Sequence, residues 1–352
     1  MTNHLAALSP YLIPPALVGK KVANLGDGFI LRAVERELGQ SFSPERVFSP
    51  RVAPNSMACA AMAEARMVIL AGANQLNDRY TVWPGLTADE MLRSNWRFVP
   101  FGVGVHGEPG FNEGMSQETK RVLEVMHERI SFSSWRCPIT VDYLRANLPD
   151  LGDRFLMTGC AVVYGRPLLE GQQFSEQDSS VAVTATERHD FWDRETAIID
   201  AAARRFAGAR KFFVVHQNFS PPTRFEALRH TLRRSRPESM PNRVEGLRAY
   251  ARTKGFQIVT PADADACARF YEQVDVHVGT RLHAHLLFLS RNKRSWLVPV
   301  DGRSVGMAES LGFPLPAAQD LSRHWDMDFE PVRRNAQRMY TVMQKFTQSL
   351  GS

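Results

Sequence analysis

The chain has 352 residues, 44% of them hydrophobic and 23% charged, with a formal net charge of +6. That length exceeds one ordinary core and favours two domains, and the composition excludes the disordered and fibrous classes. No apolar run approaches the ~18–20 residues a membrane-spanning helix needs, so none is expected.

At the N-terminus the apolar residues Leu5, Leu8, Leu12 and Ile13 are broken by Pro10, Pro14 and Pro15, with no Lys or Arg before them. A secretory signal is therefore not expected, and the default address is the cytoplasm. Hydrophobic periodicity then predicts a helix over Leu25–Leu38 closed by Gly39, strands over 66–71, 97–103, 130–133 and 155–158, and helices over 118–128 and 140–147. The polar stretch 169–180 has no periodicity and reads as a linker. A second series follows, with strands over 181–184, 211–216, 256–260, 274–278 and 295–300. Its helices begin near Trp192, Thr223, Val244, Ala262, Arg281 and Val305. Apolar residues Val332, Met339, Val342, Met343 and Phe346 mark a last amphipathic helix over 329–350, expected to pack across the domain junction. Alternation of strands and helices on this scale is the pattern of an α/β protein with mostly parallel sheets. The expected division is an N-terminal domain over 1–170, a C-terminal domain over 171–328 and the helix of 329–352.

The four cysteines, Cys59, Cys137, Cys160 and Cys267, lie far apart with no CxxC pair, so free thiols are expected and a zinc cluster is not. Residues 224–254 hold nine basic residues against three acidic ones, which accounts for the whole net charge. Aromatics stand only at the ends of this segment, so nucleic acid is not an expected partner. A solvated helical face and a patch drawn to an anionic membrane surface both fit it.

Among the motifs, 102–107 (GVGVHG) satisfies GxGxxG, yet Glu108, Pro109, Gly110 and Phe111 continue a loop where a dinucleotide site needs an opening helix. What survives is a glycine-rich strand end that places His106 to face a cleft. Near the start, Asn24, Leu25, Gly26, Asp27 and Gly28 open a helix. Asp27 either caps it or joins Asn24 in binding sugar hydroxyls. Residues 71–77 (AGANQLN) end a strand with the amides Asn74 and Gln75, which both donate and accept hydrogen bonds and suit a polyol. In 274–290 (VDVHVGTRLHAHLLFLS) a buried strand stops at Gly279, Thr280 is placed to cap, and Arg281 and His283 fall in the first turn of a core helix. There the free N–H groups and the helix dipole favour an anion. A metal held by His277, His283 and His285 fits poorly, because positions two apart on a helix do not share a face.

These segments, with 131–144 around SSWRCPITVDYL and Asp301-Gly302-Arg303 after the last strand, resemble the polysaccharide pyruvyltransferase family over roughly residues 20 to 315. The resemblance implies two Rossmann-like domains in a glycosyltransferase-B-like arrangement. It also implies transfer of the pyruvate unit of phosphoenolpyruvate onto a pair of sugar hydroxyls as a ketal, with phosphate released and no cofactor beyond that co-substrate. Where the family often has an Arg-Asp pair, this chain has Arg136 and Cys137. His283 is then the acid/base group and Arg281 the donor anchor, with Arg188, His216 and Arg136 as further donor-side residues. Asn24, Asp27, Asn74, Gln75 and His106 stand on the acceptor side. The implied acceptor is a saccharide of polysaccharide biosynthesis, a glycan or a lipid-linked one, and the cytoplasmic address is compatible with peripheral contact at the inner membrane face. A glycosyltransferase with a nucleotide-sugar donor, or a non-catalytic carbohydrate-binding relative, fits the same architecture.

Overall fold

The computed structural model describes residues 5–13, 24–106, 114–186, 191–216 and 240–351. Arg188, the helix expected from Thr223 and the basic residues of 224–239 lie outside them. The first unit runs β1 (Leu5–Leu8), α1 (Leu25–Leu38), β2 (Val47–Phe48), α2 (Ser56–Glu64), β3 (Met67–Ala71), β4 (Asn74–Leu76), α3 (Ala88–Arg93) and β5 (Phe98–Phe101). It continues with β6 (Gly104–Val105), α4 (Gln117–Arg129), β7 (Ser133–Trp135), α5 (Pro138–Asn147), β8 (Phe155–Met157) and α6 (Arg166–Leu169). The second unit runs β9 (Ser180–Thr184), α7 (Trp192–Arg205), β10 (Arg210–Val214), α8 (Met240–Thr253), β11 (Gln257–Val259) and α9 (Ala264–Glu272). Then come β12 (Val276–Gly279), α10 (Leu282–Ser290), β13 (Ser295–Leu297), α11 (Gly302–Leu311) and the terminal α12 (Glu330–Gly351).

The first sheet has the order β2-β1-β3-β5, all parallel. A bridge between Val103 and Trp135 brings the β7-β8 pair to its edge. The second sheet has the order β11-β10-β9-β12-β13, also all parallel. Both orders reverse direction once, between β1 and β3 and between β9 and β12, which is the doubly wound topology. Each reversal leaves a crevice at the carboxyl ends of its two central strands.

β1 is a central strand that the N-terminal residues do not announce. All four of its residues are buried, so it shows no alternation, and two are alanines, which carry little strand preference. The strand expected at 130–133 starts later, at Ser133, because Ile130 still serves as the C-cap of α4. After β5 the chain enters β6 and not a helix, so the glycine-rich run lacks the helix N-terminus a dinucleotide needs. α1 ends as read, with Gly39 left-handed at φ 62° and its N–H bonded to the carbonyls of Arg36 and Glu35.

The chain crosses between the sheets through residues 170–179. One continuous core joins α1 and one face of the first sheet to the second unit, while a separate core fills the outer face of the first. α12 touches both units. Phe346 meets Phe101 edge-on at 5.3 Å, and Asn335 Nδ2 donates to the Leu311 carbonyl at 2.9 Å.

Candidate active site

The carboxyl edges of the two sheets face each other across a cleft holding two adjoining cavities. The larger, about 400 Å³, is reached from β1 through Pro10, from β3 through Ala73, Asn74 and Gln75, and from the second unit through His283 and Arg303. The smaller, about 30 Å³, lies against Thr186 after β9, Thr280 after β12 and Ser304 in α11. Asn24, His283 and Arg303 line both. A backbone bond from the Leu25 N–H to the His216 carbonyl, 3.2 Å, ties the two units at this edge.

The first turns of α1, α10 and α11 converge here, each presenting N–H groups without helical partners. Asn24 caps α1, its Oδ1 accepting from the Gly26 N–H at 3.1 Å. Asp27 is thereby released from capping, and its side chain faces the larger cavity, with Oδ2 4.0 Å from Arg51 Nη2. Burial pushes the Asp27 carboxyl up, against the pull of Arg51, Arg303, Arg281 and Arg136. On α10 the N-cap is Arg281 and not Thr280. Strand β12 runs through Gly279, so the helix starts one residue later than the sequence suggests, and the buried Thr280 hydroxyl is left without a partner.

His283 sits in the first turn of α10 with its imidazole against α1. A β-carbon on Gly26 would stand 2.8 Å from Nδ1, so only glycine lets the two helix starts meet here. Its Nε2 is buried without a hydrogen-bond partner. Burial first, then the nearby Arg136 and Arg303, holds the imidazole down at about 3, so it is neutral at physiological pH. The expectation of a histidine titrating near the working pH is thereby corrected.

Arg136 directly follows β7 and is 1% exposed. Among the described residues neither Nε nor Nη1 has a hydrogen-bond partner. An unpaired guanidinium is costly to bury, and Arg136 borders the larger cavity, where an anion would relieve that cost. Arg303 forks onto Asp301, with Nη2 to Oδ2 at 2.6 Å and Nε to Oδ1 at 2.9 Å, while Asp301 caps α11. The guanidinium of Arg281 is turned towards β9, with Nε 2.7 Å from the Ala185 carbonyl and Nη2 3.2 Å from that of Thr186. His216 also borders the smaller cavity, its Nε2 paired with Tyr271 Oη at 2.6 Å and its Nδ1 unpartnered.

On the acceptor side, Asn74 Oδ1 is buried without a donor, and Gln75 Nε2 donates to the Gly72 carbonyl at 2.7 Å. Asn74 follows Ala73, a non-glycine residue in the left-handed region at φ 63°. His106 is exposed and lines neither cavity. His277 and His285 are engaged in the core through a shared partner, Ser295 Oγ, 2.8 Å from the Nδ1 of each. Among the described residues no group of three His, Cys, Asp or Glu could hold a metal ion, and no helix is long and apolar enough to cross a membrane.

Arg51, Arg79 and Arg303 are among the cleft residues that sequence reasoning passed over. Arg303 lay in view within Asp301-Gly302-Arg303, whereas Arg51, between two prolines in a loop, carries no periodic signal.

No protein-family model matches the chain, and no curated protein matches it. Solved structures similar to it include a UDP-GlcNAc 2-epimerase from Methanocaldococcus jannaschii, 10% identical over 97% of this chain and 98% of that one, with a TM-score of 0.48. The same enzyme from Neisseria meningitidis, bound to UDP-GlcNAc, is 9% identical over 91% and 88%, with a TM-score of 0.49. The wall teichoic acid polymerase TagF is 11% identical over 99% and 84%, with a TM-score of 0.40. Two doubly wound sheets with facing carboxyl edges are a glycosyltransferase-B-like arrangement. That is the architecture of this chain.

Proposed function

We propose that the cleft is the active site of a phosphoenolpyruvate-dependent pyruvyltransferase acting on a saccharide. The observation that carries this reading is Arg136, buried and unpaired beside Arg303 and the neutral His283. Such a group of cations and helix N-termini suits a compact ligand carrying both a phosphate and a carboxylate. Arg136 holds one of these groups through its planar fork, and the N-termini of α10 and α11 receive the other. Arg281, committed to two carbonyls at the end of β9, positions the first turn of α10.

A bound trianion offsets the field of Arg136 and Arg303, so His283 gains a proton as the donor binds. It then passes that proton to the methylene carbon, making it a methyl group. The first sugar hydroxyl adds to the central carbon and gives its proton to Asp27, the one carboxylate among the described residues lining the larger cavity. The second hydroxyl closes the ketal as phosphate departs with the second proton. Return of the first proton from Asp27 to the histidine balances the cycle. Asn74 and Gln75 orient the two hydroxyls.

A nucleotide-sugar transferase is the second reading, favoured by the crevice between β9 and β12, the place where doubly wound sheets hold nucleotides. Phosphate release from phosphoenolpyruvate across a panel of saccharides tests the first reading directly. Release dependent on a saccharide supports it. Release of none, with thermal stabilisation by UDP-GlcNAc but not by phosphoenolpyruvate, transfers the assignment to the second. Binding of saccharides with turnover of neither donor indicates a carbohydrate-binding protein.

A further inference from the structure

A second opening of about 500 Å³ lies on the first unit, between the end of β1 and α2, with Leu12, Phe48, Val52, Pro54, Met57 and Ala58 along its walls. It is apolar, unlike the cleft, and the two share a partition. Pro10 and Arg51 line the cleft, while Leu12, two residues on from Pro10, and Val52, next to Arg51, line the groove. Arg51 stands in that partition with Nη2 on the Pro10 carbonyl at 2.9 Å and its buried Nε unpartnered among the described residues. Arg46 lies at the far rim.

α2 adds an independent sign. Its sequence SMACAAMAE has no charged residue before Glu64, yet only Ala58 and Met62 are buried. Met57 is 76% exposed, Leu12 across the groove is 42% exposed, and Ala60 and Ala63 are exposed as well. A solvated helix normally turns charged residues outward, so this one is suited to hydrocarbon.

We infer that this groove holds the hydrocarbon chain of an acceptor whose saccharide lies in the cleft, joined by a phosphate that meets Arg51. The inference rests on the proposed reading only in placing a saccharide in the cleft. An amphiphile with an anionic joint matches the sequence of surfaces: polar cavity, guanidinium, apolar groove. A single acyl or isoprenyl chain suits a groove of this volume, and the exposed Met57 and Leu12 then lie where that chain leaves for the membrane.

Calorimetric titration of octyl, nonyl and decyl phosphate, below their micelle concentrations, tests this on the whole chain. Affinity should rise about fourfold for each added methylene, and inorganic phosphate alone should not reproduce the binding. Met57→Glu and Leu12→Asp, both at exposed positions that the fold does not depend on, should each weaken decyl phosphate at least about tenfold while leaving phosphoenolpyruvate binding unchanged. Affinity independent of chain length, or unchanged in both variants, overturns the inference. If phosphoenolpyruvate fails to bind but the chain-length dependence persists, the pyruvyl reading falls and the groove stands.

Discussion

The guanidinium of Arg136 lies directly against the backbone of Gly104, so that a β-carbon on Gly104 would stand 2.0 Å from Nη2. The second strand of the glycine-rich run therefore serves to admit an arginine, where the motif alone suggested a nucleotide. Gly104→Ala must displace Arg136 or the backbone of β6. Affinity for phosphoenolpyruvate should fall by about ten- to a hundredfold, the scale of a charged hydrogen-bonding group lost. Titration of the variant checks this, and unchanged affinity would remove Arg136 from the donor site.

In the proposed reaction His283 is the residue whose protonation is coupled to donor binding. On that reading its value of about 3 rises when the anion arrives, so that the complex would carry a proton that the free protein lacks. Phosphoenolpyruvate should therefore bind more tightly as pH falls through the bound-state value, with proton uptake visible as a buffer-dependent enthalpy. His283→Gln should abolish that uptake and the rise of affinity at low pH, and lower turnover by about 10² to 10⁴. Proton uptake persisting in the variant would assign the coupling to another group.

Arg281 bonds to the carbonyls of Ala185 and Thr186 across the β9–β12 crevice. Lysine lacks the planar fork. Arg281→Lys should lower the melting temperature of the empty protein as well as weaken the donor. A variant that loses donor affinity with its melting temperature unchanged would return Arg281 to direct contact with the ligand.

Buried histidines set the acid limit of the fold. Burial holds His127, His277 and His283 each at about 3, against about 6.5 in an unfolded chain. Between these values the unfolded state binds the extra protons, so stability falls as pH falls, by up to about 1.4 kcal/mol per pH unit for each histidine. Melting curves from about pH 7 to about pH 4 should steepen downward. A level melting temperature across that range would show that these groups titrate normally.

Helices with a clear amphipathic period were legible in the sequence. α1 and its Gly39 terminus, α7 from Trp192 and the last helix lie where the apolar spacing puts them. β1 was not, because a strand buried on both faces has no polar alternation to betray it. The cleft was legible in part. Asn24, Asp27, Asn74, Gln75 and His283 meet in one cavity, each marked by its place at a strand end or helix start. His106 stands outside it, since the strand after Gly102 continues through β6 and leaves that side chain exposed. Which residue caps α1 or α10 turns on one position in the chain, and local pattern alone does not settle a choice between Asn24 and Asp27 or between Thr280 and Arg281.

Arg136 offers the most direct measurement, because its Nε and Nη1 are buried without partners among the described residues, a cost that the proposed anion would relieve. Replacing it with methionine removes a buried unpaired charge and keeps a long side chain. Thermal melting of wild type and Arg136→Met, each with and without saturating phosphoenolpyruvate, reads both consequences together. The variant should melt higher than wild type when empty and gain little from phosphoenolpyruvate, while wild type is strongly stabilised by it. A variant that melts lower when empty yet is stabilised as much as wild type would show that Arg136 supports the fold and that the donor binds elsewhere.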